Sequence, residues 1–212
     1  MSLGESWTAY DAFAKGIDLS SQVVTQPDGT LSVRRRPGDS GVCIASAEVF
    51  GEGTFSVEML VRNPDPAGNP YISIASTLPH PLETAWEKQI PFGIEVKLKQ
   101  GIAGKIVLPS PTFKVTLPSG QKREERQVPA IREAALKANE WNKWEIECDR
   151  ANNVTVKLNG VTVNTLGKAE NVSGHIVIWL PDSDIEIRNA SMVSKGRTIP
   201  LTFDRTVTAA SP

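Results

Sequence analysis

The chain has 212 residues and nearly balanced charge, 23 basic against 24 acidic side chains for a net of −1. That length buries a substantial apolar core without help from metals or disulfides and suits a single domain spanning 1–212. The balance leaves no global field to attract nucleic acid or anionic lipid, and no run approaches the roughly eighteen apolar residues of a membrane span, so neither partner is expected.

Residues 1–5, beginning Met1-Ser2-Leu3, read as an added leader or an unstructured start, and the compartment stays open. Strand-like runs then follow at 31–36, 42–47, 54–62, 71–76, 92–99 and 102–108. In the third of these, Phe55, Val57, Met59 and Val61 take one face while Ser56, Glu58 and Arg62 take most of the other, the habit of an antiparallel sheet with one buried side. Cys43 sits in one strand-like run and Cys148 in another, far apart, and both read as buried free thiols.

Residues 109–140 break the rhythm and read as an insertion loop. A strand is expected at 112–117, Pro118-Ser119-Gly120 turns, and Lys122-Arg123-Glu124-Glu125-Arg126 is a mixed-sign run suited to solvent. From Pro129 to Ala138 the residues favour a short helix, with Pro at its first position and Asn139 after its end.

The last third is the most regular. Trp144, Ile146 and Cys148 alternate with Glu145, Glu147 and Asp149, and Val154, Val156 and Leu158 alternate with Thr155, Lys157 and Asn159. Asn159-Gly160 lies between two such strands and tolerates the positive φ of a two-residue turn, which predicts a tight hairpin. With further strands at 161–165, 175–180 and 184–193, about a dozen short strands joined by Gly, Pro, Asn and Asp turns predict an all-β sandwich of two antiparallel sheets, with one short helix in the insertion.

Five places carry a resemblance to a known family. They are Asp28-Gly29-Thr30-Leu31; Gly53-Thr54-Phe55-Ser56-Val57-Glu58; Ile94-Glu95-Val96-Lys97-Leu98 followed by Ala103-Gly104-Lys105-Ile106-Val107; Glu140-Trp141-Asn142 with Leu158-Asn159-Gly160; and Gly174-His175-Ile176 with Ile187-Arg188-Asn189. In order and spacing these resemble the 3-keto-disaccharide hydrolase family of the concanavalin A-like lectin/glucanase group. The resemblance implies a jelly-roll sandwich with a concave groove, a saccharide or glycoside as ligand, hydrolysis of a glycosidic bond, and a periplasmic or secreted setting as one option; the residues themselves show no cofactor motif, and no cofactor is expected. The chain departs from the family's pattern in two places. Asn69-Pro70-Tyr71-Ile72-Ser73-Ile74-Ala75-Ser76 replaces an Asn-Ser-Gly step and a strand ending in Arg, and Trp179 stands where a Gln is usual. Lys97 also replaces a Gln.

Alternation in 92–99 sends Phe92, Ile94, Val96 and Leu98 to one side and puts Glu95 beside Lys97 on the other. A carboxylate next to an ammonium acts as acid or base on a glycosidic oxygen, or grips sugar hydroxyls; the plainer alternative is a solvent-facing ion pair. Glycoside hydrolysis ordinarily uses two carboxylates, and Glu58, Glu83 and Glu87 are the candidates for the second. A keto-sugar also permits elimination, in which one base and an oxyanion stabiliser such as Lys97 or Lys105 suffice. An indole face stacks on a pyranose, so Trp86 and Trp179 are candidates to line the groove, with Glu87 and His175 beside them; Trp144 reads as core and Trp141 as structural. Neither His80 nor His175 has ligand-spaced companions, so no transition metal is expected, and Asp182-Ser183-Asp184 leaves calcium as a minor alternative. Asn153, Asn171 and Asn189 begin glycosylation patterns of a kind common by chance. Two further readings remain, a carbohydrate-binding module without chemistry and a domain that presents loops to a protein partner.

Overall fold

The computed structural model describes residues 1–11, 18–34, 41–62, 70–78, 91–181 and 184–204. In chain order its elements are β1 (Trp7–Asp11), α1 (Leu19–Gln22), β2 (Val23–Thr25), β3 (Leu31–Val33), β4 (Val42–Ser46), β5 (Gly53–Val61), β6 (Tyr71–Ser76), β7 (Ile94–Lys97) and β8 (Ile106–Val107). There follow β9 (Gln127–Val128), β10 (Trp141–Cys148), β11 (Val154–Leu158), β12 (Val161–Leu166), β13 (His175–Leu180), β14 (Ile185–Ser194) and β15 (Arg197–Pro200). Every strand pairing is antiparallel, and the strands form two sheets. One has the order β1-β4-β13-β6-β7-β8-β9, the other β12-β11-β10-β5-β14-β3-β2 with β15 on β14.

Each strand gives alternate side chains to the interior. Ile44, Ile72, Val96 and Ile178 come from the seven-stranded sheet, Phe55, Met59, Trp144 and Val156 from the eight-stranded one, and all belong to one continuous buried cluster. Burying a side chain of this size stabilises by roughly 1.5–3 kcal/mol, which makes the two-period pattern sufficient to fix which face turns inward. Trp7 stacks on Phe203 with ring centroids 5.4 Å apart, and its indole N–H donates to the Leu201 carbonyl at 3.2 Å.

The meander β10-β11-β12 forms as its alternation predicts, and both Asn159 (φ 51°) and Gly160 (φ 79°) occupy the left-handed region its two-residue turn needs. Asn159 has a second task. Its Nδ2 donates to Asn142 Oδ1 at 3.0 Å and its Oδ1 accepts from the Lys143 N–H at 2.9 Å. Buried Asn142 in turn donates to the Lys137 and Glu140 carbonyls and accepts from the Lys137 N–H. The segments 140–142 and 158–160 are therefore one bonded unit.

Several expectations are corrected. The helix expected over 129–138 does not form, because tertiary bonds take its backbone groups. The Ile131 N–H donates to the Val163 carbonyl, Asn164 Nδ2 donates to the Pro129 carbonyl, and the Lys137 N–H goes to Asn142. A ten-residue helix is marginal in water and loses to such tethers. The only helix among the described residues is the four-residue α1, capped by Asp18. The strand expected over 112–117 reduces to a bridge between Thr116 and Gly167, and those over 92–99 and 102–108 shorten to β7 and β8. Residues 1–5 are folded: Leu3 is buried, and the Met1 ammonium donates to the Ala9 carbonyl at 2.8 Å. Both cysteines are free and buried, as their strand positions predict.

Candidate functional site

The outward face of the seven-stranded sheet carries two rows of side chains, fixed by strand register. One runs Tyr10, Cys43, Trp179, Tyr71, Lys97 across β1, β4, β13, β6 and β7. The next runs Ala45, Val177, Ser73, Glu95, Val107, Gln127 across β4, β13, β6, β7, β8 and β9. Residues two apart on one strand share a face, so Glu95 and Lys97 stand side by side there, while Ile94, Val96 and Leu98 are fully buried in the interior.

Lys97 Nζ lies 2.7 Å from Glu95 Oε2 and 4.5 Å from the centroid of the Tyr71 ring. Arg126 approaches the other carboxylate oxygen, with Nη2 3.9 Å from Glu95 Oε1, and is aimed by donating from Nε to the Leu108 carbonyl at 2.6 Å. One carboxylate is thus flanked by two cations. The Lys97 and Glu95 side chains keep 13% and 11% of their exposure, Arg126 32%, so the cluster is half-sealed and opens toward Arg126. Charges so placed interact more strongly than in open water.

Beside them lies an aromatic and aliphatic patch. Tyr71 and Trp179 stack with centroids 6.2 Å apart at 22°, against Cys43, Ala45 and Val177, all buried. Burial, then the negative charge of Glu95, raises the Tyr71 phenol well above its ordinary range. Burial likewise pushes the Cys43 thiol upward. Tyr71 Oη and Ser73 Oγ are buried with no hydrogen-bond partner among the described residues. The backbone next to them is irregular. β6 bulges against β13 at Ala75, which adopts φ 52°, and Gly174 packs so closely that a Cβ on it would sit 2.4 Å from the Ala75 carbonyl carbon.

Of the residues expected from sequence, Glu95, Lys97 and Trp179 lie on this one face. His175 begins the same strand as Trp179, and its Nδ1–H donates to the Ser46 carbonyl at 2.9 Å. Lys105 precedes β8, where its carbonyl accepts from the Lys97 N–H at 2.9 Å, and it lines a depression of about 690 Å³ with Ile102, Glu133 and Leu136. Glu58 is on the outer face of the opposite sheet, bonded to Arg188 Nε at 2.8 Å, so it cannot be the second carboxylate for Glu95. Trp86, Glu83, Glu87, His80 and Asp182 fall outside the described residues. Among the described residues, no group of three or more His, Cys, Asp or Glu side chains is arranged to hold a metal ion. Arg126, Tyr71 and Ser73 are additions that the sequence did not single out.

The model of the 3-keto-alpha-glucoside-1,2-lyase-like domain matches residues 2–192. Comparison with curated protein sequences gives no match. Among solved structures, the chain is similar to carbohydrate-binding module CBM66 from Bacillus subtilis, at 13% identity and TM-score 0.54, covering 92% of this chain and 99% of that one. It is similar to the β-glucanase of Bacillus licheniformis at 11% identity and TM-score 0.54, covering 92% and 94%. It is also similar to a family 16 glycosyl hydrolase protein from Mycobacterium smegmatis, at 12% identity and TM-score 0.52, covering 87% and 90%. Likeness at these identities is a likeness of fold, and the fold is the concanavalin A-like jelly-roll sandwich that the sequence led us to expect. With the family match running from residue 2 to residue 192, the chain belongs to the 3-keto-alpha-glucoside-1,2-lyase-like domain family.

Proposed function

We propose that the outward face of the seven-stranded sheet binds a 3-keto-glucoside and cleaves it by elimination. The observation that carries this reading is the half-sealed carboxylate of Glu95, held among the described residues between Lys97 and Arg126. A ketone at C3 acidifies the C2–H, and Glu95 takes that proton. The C–H electron pair flows into the ketone, and the oxyanion formed faces the two cations. As the oxyanion collapses to the C3 ketone, C1=C2 forms, the C1–O bond breaks, and the departing oxygen takes the proton that Glu95 holds, which restores the carboxylate. The products are an unsaturated keto-sugar and an alcohol, and no water is consumed. One base with cationic support is sufficient for this chemistry, whereas two-carboxylate hydrolysis would need a partner that Glu58 does not supply.

Methyl 3-keto-α-D-glucopyranoside is the test substrate, with the conjugated enone followed by ultraviolet absorbance. Glu95→Gln keeps the shape and removes the base; turnover is expected to fall at least a hundredfold, a range typical for loss of a general base. Wild-type turnover by the variant would remove Glu95 from the mechanism.

A second reading, saccharide binding without chemistry, is favoured by the 2.7 Å contact through which Lys97 already occupies one Glu95 oxygen. Calorimetric binding of the same glycoside with no enone and no released methanol would select it.

A further inference from the structure

The site face holds two buried hydroxyls, Tyr71 Oη and Ser73 Oγ, with no hydrogen-bond partner among the described residues. A buried hydroxyl with no partner loses its water without a replacement bond, and two of them on one strand, two residues apart, repeat that loss on one patch. Ser73 is directly across from Glu95, and Tyr71 directly across from Lys97. Gly93 brings no side chain to the first of them: a Cβ there would lie 2.4 Å from Ser73 Oγ. The Tyr71 ring is fixed by Trp179 on one side and by the Lys97 ammonium over its face, so its hydroxyl has a defined direction.

We propose that Tyr71 and Ser73 are the residues that read the sugar's oxygens, Tyr71 donating to the oxygen that becomes the oxyanion and Ser73 bonding a neighbouring ring hydroxyl. This rests on the saccharide reading above and assigns its specificity. The register supplies the division of labour, with the base and Ser73 in one row and the cation and Tyr71 in the other. The phenol stays protonated, since burial and the nearby carboxylate both disfavour its anion, and only the protonated form donates. A ligand oxygen that completes either hydroxyl recovers a desolvation cost the free protein already carries, and this favours a hydroxylated ring over an apolar one.

The test uses Tyr71→Phe and Ser73→Ala in the full chain, with methyl 3-keto-α-D-glucopyranoside as the probe and thermal midpoints measured alongside. Neither change removes a hydrogen bond to a described residue, so both midpoints are expected to hold or rise. Tyr71→Phe is expected to lower kcat about tenfold or more with little change in KM, because its bond strengthens as charge develops. Ser73→Ala is expected to raise KM severalfold with kcat kept. Should wild type bind the probe without turning it over, both variants are expected to weaken that binding about tenfold in calorimetry. Wild-type kinetics or binding in both variants, with Glu95→Gln inactive or non-binding, overturns this inference and leaves the function reading intact. A fall in midpoint by several degrees in either variant overturns it too, since the hydroxyl would then be structural. Wild type that neither binds nor converts the probe overturns reading and inference together.

Discussion

Each sheet carries the same two-residue device on its outward face, a carboxylate and an ammonium two positions apart on one strand. On β10 it is Lys143 and Glu145, 2.9 Å apart with 49% and 26% of their side-chain surface exposed. On β7 it is Lys97 and Glu95, 2.7 Å apart and close to one-eighth exposed. Sequence alternation treats the two alike. Their surroundings do not. The first is a solvated pair of the kind worth at most about 1 kcal/mol, and the second is a partly desolvated pair whose members depend on each other. The eight-stranded sheet spreads its outward charges in open pairs, Arg188 with Glu58 and Arg62 with Glu186, whereas the seven-stranded sheet gathers its own beside a buried aromatic patch. Environment, not residue type, separates a candidate site from an ordinary surface.

The largest expected effect breaks the pairs. Lys97→Met leaves Glu95, among the described residues, only Arg126 at 3.9 Å and is expected to cost about 3 kcal/mol in urea denaturation, while Lys143→Met should cost under about 1 kcal/mol. Equal costs would show that the two faces are the same kind of surface.

A second difference appears at alkaline pH. Burial raises Cys43 and Tyr71 on the seven-stranded face above their unfolded values, so the folded state holds their protons more tightly. Their stabilisation is complete below the unfolded values, near 9 for the thiol, and is lost as pH rises from there toward the folded ones. Cys148, inside the sandwich and pushed up to about 12, adds to the same slope. Urea midpoints under reducing conditions should be flat to about pH 8 and then fall, by about 1 kcal/mol per buried thiol at pH 10. Cys43→Ala should lessen the slope; an unchanged slope would mean the thiol is not sealed on this face.

The smallest effect compares the bulges. β6 places Ala75 at φ 52° where β14 places Asn189 at the same angle. Asparagine tolerates that region and alanine does not, so Ala75→Gly should stabilise by up to about 1 kcal/mol and Asn189→Gly by little. A gain at both would mean that Ala75 stores no special strain.

The sandwich was legible because alternation over Trp141–Cys148, Val154–Leu158 and Gly53–Val61 leaves only one face to bury, and Asn159-Gly160 leaves only one turn. The pairing of Glu95 with Lys97 followed from the same parity. What escaped was delivered by topology. Arg126 reaches Glu95 only because β8 and β9, each two residues long, extend the sheet past β7, and so short a strand has no periodic signal. Tyr71 and Ser73 look like ordinary strand residues until β13 and β7 flank them. Lys105 is tied to Lys97 by a backbone bond in the turn before β8 and also lines a depression with Glu133, a position the strand pattern alone does not give.

The segment that closes at Asn142 has one more effect. β12 ends its sheet, and a terminal strand with free amides and carbonyls is a template for another chain. Here Thr116 exchanges both backbone bonds with Gly167, Ile131 takes the Val163 carbonyl, and Asn164 reaches across to the Gly104 and Pro129 carbonyls. The long connection that breaks the strand rhythm thus serves as a selvage, occupying groups at that border that would otherwise stand open to pairing with another chain.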